Sequence, residues 1–150
     1  MPVLDAADPL PRGPRRILVA GTSGSGKTTL AVRIAAVLEV PHVEIDSLFH
    51  GPSWTRRRSF EEDVRRFSGE SCWVTEWQYD SVRALLADRA DLLVWLDLPR
   101  RTVMRRVVQR TIVRRLRRQT LWNGNIEPPL RTIFHLHRRR AHRPMGVEYP

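Results

Sequence analysis

The chain has little cysteine and no long hydrophobic run, and each absence excludes a class of protein. Cys72 is the only cysteine among 150 residues, so a disulfide within the chain is excluded. A lone cysteine and the lack of a signal-peptide pattern are typical of a reducing cytoplasm. No apolar run approaches the roughly 18 residues of a membrane span. We therefore expect a cytoplasmic protein without a membrane partner, and the composition indicates nothing about its oligomeric state.

Lysine is also scarce, and so are acidic residues beyond Leu98. Of the 26 lysine and arginine residues only Lys27 is a lysine, a bias that we interpret mainly as genomic composition. The net charge is +10, and beyond Leu98 the only acidic residues are Glu127 and Glu148. Such a basic chain favours acidic partners, which means nucleotides or, through the basic C-terminal half, nucleic acid.

The segment from Gly21 to Thr28, G-T-S-G-S-G-K-T, fits the phosphate-binding P-loop pattern G-x-x-x-x-G-K-[ST]. The alternative is a glycine-rich turn without a ligand, but a strand pattern before the loop and a helix pattern after it favour the P-loop. Its glycines let backbone N–H groups approach phosphates, while Lys27 reaches the β- and γ-phosphates and the Thr28 hydroxyl binds Mg²⁺. The predicted residues for binding ATP are Gly21, Thr22, Ser23, Gly24, Ser25, Gly26, Lys27, Thr28 and Thr29.

Strand and helix patterns alternate over the rest of the chain, which predicts βαβ units around a parallel sheet. We expect a flexible leader over residues 1–14 and one domain over residues 15–134. The expected strands span residues 16–20, 42–45, 72–75 and 91–97, and the expected helices span residues 28–38, 81–90 and 99–118, with one more beginning at residue 59. In the helix at 28–38 we expect Leu30, Ile34, Val37 and Leu38 to lie on one side.

Three carboxylates fall at the predicted strand ends, where parallel sheets bind ligands. Asp97 ends an apolar strand as a magnesium-linked acid does, or else it caps the next helix. Asp46 either addresses the acceptor hydroxyl, joins the metal shell or caps a helix. Glu76, followed by Trp77 and Tyr79, either lines the acceptor pocket or belongs to ordinary loop packing.

The helix after Asp97 has a basic side and an apolar side. The basic side includes Arg106 and Arg110, which we expect to contact the transferred phosphate and to act in catalysis with Lys27 and Asp46. The alternative is an ordinary solvated face. The apolar side consists of Val103, Met104, Val107, Val108 and Ile112.

The segments I-L-V-A-G-T-S-G-S-G-K-T-T-L, I-D-S-L-F-H, W-V-T-E-W-Q-Y and L-W-N-G-N-I-E-P-P carry a family resemblance. The chain resembles adenylate kinase-like P-loop kinases, and within them the bacterial group labelled DNA topology modulation proteins. The resemblance implies an NMP-kinase-like three-layer sandwich, ATP with Mg²⁺, a basic lid over residues 100–129, and an acceptor near Asp46, Glu76 and Arg83. The D-G-[FY]-P-R segment of adenylate kinases is replaced here, so AMP is not the expected acceptor.

Family members continue past the lid into a long helix and a last parallel strand, whereas residues 135–150 have no strand pattern. We expect an irregular basic tail and a sheet that lacks its last strand, as in a truncated or frameshifted chain. The leading functional hypothesis is a kinase that moves the γ-phosphoryl of ATP to a nucleotide-like or other small acceptor. The alternatives are a nucleic-acid-associated or regulatory ATP-binding protein and an inactive fragment.

Overall fold

The computed structural model describes residues 3–5, 7–10, 13–116, 123 and 125. Within these residues lies a parallel sheet of four strands in the order β2-β3-β1-β4. The strands are β1 (Arg16–Gly21), β2 (His42–Val43), β3 (Trp73–Glu76) and β4 (Leu92–Leu96). The predicted tail and missing last strand, residues 135–150, lie outside the described residues, as do parts of the predicted leader and lid.

Five α-helices accompany this sheet in the part of the chain that the structure describes. They are α1 (Lys27–Leu38), α2 (Ile45–Phe49), α3 (Phe60–Ser68), α4 (Asp80–Arg89) and α5 (Arg100–Leu116). Two clusters of buried side chains form the core, one on each face of the sheet. The first joins α2, α3 and α4 to the sheet through Leu18, Ile45, Phe60, Val64, Trp73, Val82 and Leu86. The second joins α1 to the sheet through Ile17, Val19, Ala31, Ala35, Val40 and Val74. Helices on both faces of a parallel sheet confirm the predicted α/β architecture.

The central strand β1 explains why its sequence reads as an unbroken apolar run. Its residues from Ile17 to Ala20 are each at most 1% exposed. Leu18 belongs to the first cluster, whereas Ile17 and Val19 belong to the second. A strand that is buried on both faces needs apolar side chains at every position rather than at every second one.

The second strand is shorter than predicted. β2 ends at Val43, and Ile45 begins α2 instead of closing the strand. Ile45 is fully buried in the first cluster, so its apolar character reflects helix packing. Asp46 therefore lies in the first turn of α2, where an acidic side chain also suits the positive end of the helix.

The apolar sides of two helices are only partly buried. Val37 is 81% exposed, and α1 instead buries the small residues Ala31 and Ala35, which let the helix approach the sheet closely. In α5 only Val103 of the predicted apolar side is buried, with Val107 intermediate. The remaining members, Met104, Val108 and Ile112, are each more than half exposed.

The described helices also bear on the expectation about membranes. None of them is both long enough and apolar enough to cross a bilayer.

Leu86→Ala is expected to lower the free energy of unfolding by about 2–5 kcal/mol, because Leu86 is fully buried in the first cluster. The matched control is Leu38→Ala, which removes the same atoms from a side chain that is 38% exposed. We expect the control to cost less than about 1 kcal/mol. Urea denaturation of both variants measures the difference, and equal losses would contradict this assignment of the core.

Candidate functional site

The P-loop connects β1 to α1 and depends on glycine at two positions. Gly24 has φ +83° and Gly26 has φ +100°, values that side-chain-bearing residues rarely adopt. At Gly24 the space is also closed, because an added Cβ would overlap Cγ2 of Val107 on α5. The glycine pattern of the sequence thus reflects both backbone conformation and the close packing of α5 on the loop.

Helix α1 begins directly at the loop, so its N-terminal N–H groups face the space where a phosphate would bind. Lys27 Nζ donates a hydrogen bond to the Thr22 carbonyl across the loop, at 3.2 Å. Burial lowers the pKa of Lys27, and the nearby carboxylates of Asp46 and Glu76 oppose that shift. The lysine is therefore held over the loop and close to two acidic groups.

A cavity of ≈ 920 Å³ opens over the loop and reaches both sides of it. The P-loop side is lined by Ser23, Gly24, Ser25, Gly26, Lys27, Thr28 and Thr29. The other lining residues are Leu30, Arg33, Glu44, Asp46, Trp54, Gln78, Leu96, Leu98, Arg106 and Arg110. The cavity thus brings together most of the predicted P-loop residues, the predicted acceptor residue Asp46 and the two predicted arginines.

Arg106 is attached to the P-loop. Its Nη1 donates to the Ser25 carbonyl at 3.0 Å and lies 3.6 Å from the position that a Cβ on Gly26 would take. Arg110, one turn further along α5, lines the same cavity. Helix α5 therefore presents two guanidinium groups to the phosphate end of the cavity.

Glu76 is the last residue of β3 and is only 1% exposed. Its carboxylate accepts from His42 Nε2 at 3.3 Å and from the Ile45 N–H at 3.5 Å. Burial alone would raise the pKa of Glu76. The hydrogen bond and charge of His42, with a contribution from Thr28, together outweigh burial, so the pKa is lowered overall. An ionised carboxylate thus sits beneath the P-loop threonine.

Asp46 is held by two donors from the segment after β3. The Tyr79 hydroxyl donates to Asp46 Oδ1 at 2.5 Å, and Gln78 Nε2 donates to the same oxygen at 3.2 Å. Asp46 and Gln78 line the cavity. The structure therefore places Asp46 opposite the P-loop, on the side of β2 and β3.

Five predicted site residues are not among those that line the cavity: Gly21, Thr22, Glu76, Arg83 and Asp97. Asp97 follows β4 but is exposed and is not among the described lining residues. Arg83 likewise does not line it: Nη1 is 2.8 Å from Asp80 Oδ1, and its guanidinium lies 5.2 Å from the ring centroid of Trp77. Trp77, in turn, donates its indole N–H to the Arg83 carbonyl at 3.1 Å.

The loop after α2 is fastened by two asparagines of the L-W-N-G-N segment. Asn125 is 4% exposed; its Oδ1 accepts from the Trp54 N–H at 3.0 Å, and its Nδ2 donates to the Gly51 carbonyl at 2.9 Å. The side chain of Asn123 donates to the His50 carbonyl. The motif thus has a structural role at the wall of the cavity, since Trp54 lines it.

The lining residues that the sequence reasoning missed are Leu30, Arg33, Glu44, Trp54, Gln78, Leu96 and Leu98. Gln78 lies within the W-V-T-E-W-Q-Y segment that carried the family resemblance, so that motif contained a signal for it. Glu44, Leu96 and Leu98 lie in or beside predicted strands, and for Leu30, Arg33 and Trp54 the sequence offered no signal.

No family model matches the chain, and no curated protein matches it. Solved structures do. A gluconokinase from Sinorhizobium meliloti 1021 has a TM-score of 0.52 at 22% identity, covering 91% of this chain and 79% of that one. A shikimate kinase from Aquifex aeolicus vf5 has a TM-score of 0.48 at 15% identity, covering 85% and 99%. A sugar kinase from Janibacter sp. HTCC2649 has a TM-score of 0.44 at 20% identity, covering 90% and 99%.

At these identities the similarity concerns the fold, for which the gluconokinase is the informative match. It agrees with the predicted P-loop kinase fold of the NMP-kinase type. The finer resemblance to DNA topology modulation proteins stays a prediction.

Gly24→Ala is expected to destabilise the loop by about 1–3 kcal/mol, because it combines a left-handed backbone with an overlap against Val107. We also expect the increase in melting temperature caused by Mg-ATP to be lost. Thermal unfolding with and without Mg-ATP measures both effects. Gly13→Ala is the matched control, since no atom lies within 4 Å of its added Cβ, and an equal response of the two variants would contradict the proposed constraint.

The His42–Glu76 pair predicts a pH-dependent contribution to stability. The hydrogen bond with Glu76 raises the pKa of His42 above its usual value near 6.5. A raised pKa in the folded state means that the stabilisation is complete below about pH 6.5 and is lost as the pH rises through the folded pKa. Wild type should therefore exceed His42→Gln in unfolding free energy by more at pH 6 than at pH 9, measured by urea denaturation. A constant difference would show that His42 does not titrate with folding.

Proposed function

We propose that the protein is a P-loop kinase that transfers the γ-phosphoryl of ATP to a hydroxyl group of a small acceptor. One observation supports this most directly: Asp46 lines the same cavity as the P-loop lysine, Lys27. An ATP-binding fold needs only the loop, whereas a kinase also needs a group that addresses the acceptor.

The donor end of the cavity fits the phosphates of ATP. Gly24 and Gly26 adopt left-handed backbone conformations, which let N–H groups of the loop face an anion. Lys27 and Arg106 add positive charge from α1 and α5. In the transfer step these cations stabilise the charge on the phosphoryl group as it leaves ADP.

For magnesium we propose Thr28 and Glu76, in place of Thr28 and Asp97. The Thr28 hydroxyl and the buried Glu76 carboxylate lie close together under the loop, and both are hard oxygen ligands of the kind that Mg²⁺ takes. Neither acid lines the cavity, but Glu76 is buried near Thr28 whereas Asp97 is exposed. When bound, Mg²⁺ would neutralise charge on the β- and γ-phosphates.

At the acceptor end, Asp46 takes the role of proton acceptor. A hydroxyl must lose its proton as its oxygen bonds to phosphorus, and a carboxylate within hydrogen-bond reach can receive it. A nucleoside monophosphate offers an oxygen that is already ionised and that Asp46 would repel. The geometry therefore favours a hydroxyl acceptor, which agrees with the missing D-G-[FY]-P-R segment.

Nucleic-acid association is the alternative, and the basic α5 motivates it. The position of Arg106 favours the kinase function, because its guanidinium donates a hydrogen bond to the Ser25 carbonyl in the P-loop. Other arginines of α5, such as Arg101 and Arg105, are exposed and would suit phosphate contacts whose strength falls with salt.

We expect Mg-ATP to raise the melting temperature and a subset of polyols, sugars or nucleosides to stimulate release of ADP. Glu76→Gln should lower this turnover by roughly a hundredfold, since it removes the proposed metal-linked charge. The matched control Asp97→Asn should stay within about twofold of wild type, because its carboxylate is exposed to solvent rather than buried near Thr28. A coupled ADP assay measures all three proteins.

Two outcomes would contradict the proposal. Protein that binds Mg-ATP but turns over none of the hydroxyl acceptors would not be the proposed kinase. A loss of turnover in Asp97→Asn that exceeds the loss in Glu76→Gln would return the metal to Asp97.

A further inference from the structure

Tyr79 has an unusual backbone conformation for a residue that is not glycine. It precedes α4 with φ +61° and ψ +106°. Such conformations are unfavourable for residues with a Cβ and persist where the surroundings enforce them, often at functional sites. Contacts of the Tyr79 side chain therefore have to maintain this unfavourable backbone conformation.

The side chain of Tyr79 is fixed in position by aromatic neighbours. Its ring stacks on Phe49 with a centroid distance of 4.0 Å and an interplanar angle of 15°. The ring of Phe60 meets it edge-on at 5.2 Å. These ring contacts fix the phenol oxygen in a position beside Asp46. Burial, together with the Asp46 carboxylate, strongly raises the pKa of Tyr79, so the phenol keeps its proton.

The phenol takes part in an ordered set of hydrogen bonds. It donates its one proton to Asp46 Oδ1, so the contact of 3.3 Å with His50 Nε2 requires the imidazole to be the donor. Gln78 Nε2 donates to the same Oδ1. Asp46 Oδ2 accepts no hydrogen bond from the residues that the structure describes. One carboxylate oxygen is thus occupied and the other is available.

We propose that Tyr79 is a positioning residue that, with Gln78, holds Asp46 so that Oδ2 faces the acceptor hydroxyl. This inference rests on the proposed kinase function and deepens it. In the step, the acceptor oxygen bonds to the γ-phosphorus, the bond from phosphorus to the bridging oxygen breaks, and ADP leaves with that electron pair. The hydroxyl proton goes to Asp46 Oδ2.

The arrangement also defines the acceptor class. A carboxylate oxygen without a donor is matched by a group that brings its own proton, which is a neutral hydroxyl. An acceptor oxygen that is already anionic would face Asp46 and Glu44 together, since both line the cavity. The acceptor is therefore an alcohol at its reacting atom, as in a polyol, a sugar or the ribose of a nucleoside.

The test is a double-mutant cycle between Tyr79→Phe and Asp46→Asn, measured by ADP release with the best hydroxyl acceptor. Tyr79→Phe keeps the ring that stacks on Phe49 and removes only the oxygen. We expect kcat to fall roughly ten- to a hundredfold, with the KM for ATP unchanged because the P-loop is untouched. In the Asp46→Asn background the same change should cost less than about threefold, because there is no base left to position.

A second measurement does not depend on turnover. The alkaline absorbance titration of Tyr79, taken as the difference between proteins with Tyr and Phe at this position, should move to lower pH in Asp46→Asn. This follows because the carboxylate contributes to the raised pKa of the phenol. Melting temperatures of all four proteins serve as the control for folding.

The outcomes separate the two proposals. The positioning role would be overturned if wild type turns over and Tyr79→Phe has an unchanged kcat, or if Tyr79→Phe lowers kcat equally with Asp46 and with Asn at position 46. Either result would leave the proposed kinase function intact. Turnover of anionic acceptors alone would overturn the acceptor class. Wild type that binds Mg-ATP without using any hydroxyl acceptor would refute the kinase, and this inference with it, whatever the absorbance titration shows.

Discussion

The pairing of β1 with β3 is the constraint on which the site depends. Their parallel register sets Val19 opposite Glu76, and the Trp77 N–H continues the ladder by donating to the Val19 carbonyl at 2.9 Å. Because β1 then turns into the P-loop, this register brings the Glu76 carboxylate near the Thr28 side chain. Parallel strands deliver both ends to one edge of the sheet, so a shift of one residue would turn Glu76 to the opposite face and remove the acid from the loop.

Charges of both signs are held close together at this edge. Lys27 is half-buried beside Asp46 and Glu76, which support its charged form against desolvation. Glu76 has His42 as an internal partner, whereas Asp46 is held by neutral donors from Tyr79 and Gln78. A fixed positive partner would compete with the proposed acceptor for Asp46, and neutral donors do not. The two acids therefore have different surroundings, which suit the roles proposed for them: a metal-linked role for Glu76 and proton acceptance for Asp46.

How far the sequence predicts this molecule varies from residue to residue. The P-loop and β1 were predictable because their physical requirements are local: glycines at left-handed positions and an apolar run for a strand buried on both faces. The end of β2 was not, because Ile45 is apolar whether it closes a strand or packs a helix. The preference for Glu76 over Asp97 as the proposed metal-linked acid was not predictable either, because both lie at the ends of strands that flank β1. Only the burial of Glu76 near Thr28 and the exposure of Asp97 separate the two.

Helix α5 and Asn123, which follows it in the chain, make contacts at opposite ends of the cavity. At the donor end, Val107 packs on Gly24 and Arg106 binds the Ser25 carbonyl. Beyond α5, Asn123 binds the carbonyl of His50, whose imidazole contacts Tyr79. Since the Tyr79 hydroxyl in turn donates to Asp46, the contact of Asn123 reaches the carboxylate at the other end of the cavity through His50 and Tyr79. Helix α5 itself packs on the P-loop through Val107 and Arg106, contacts that a merely solvated helix would lack.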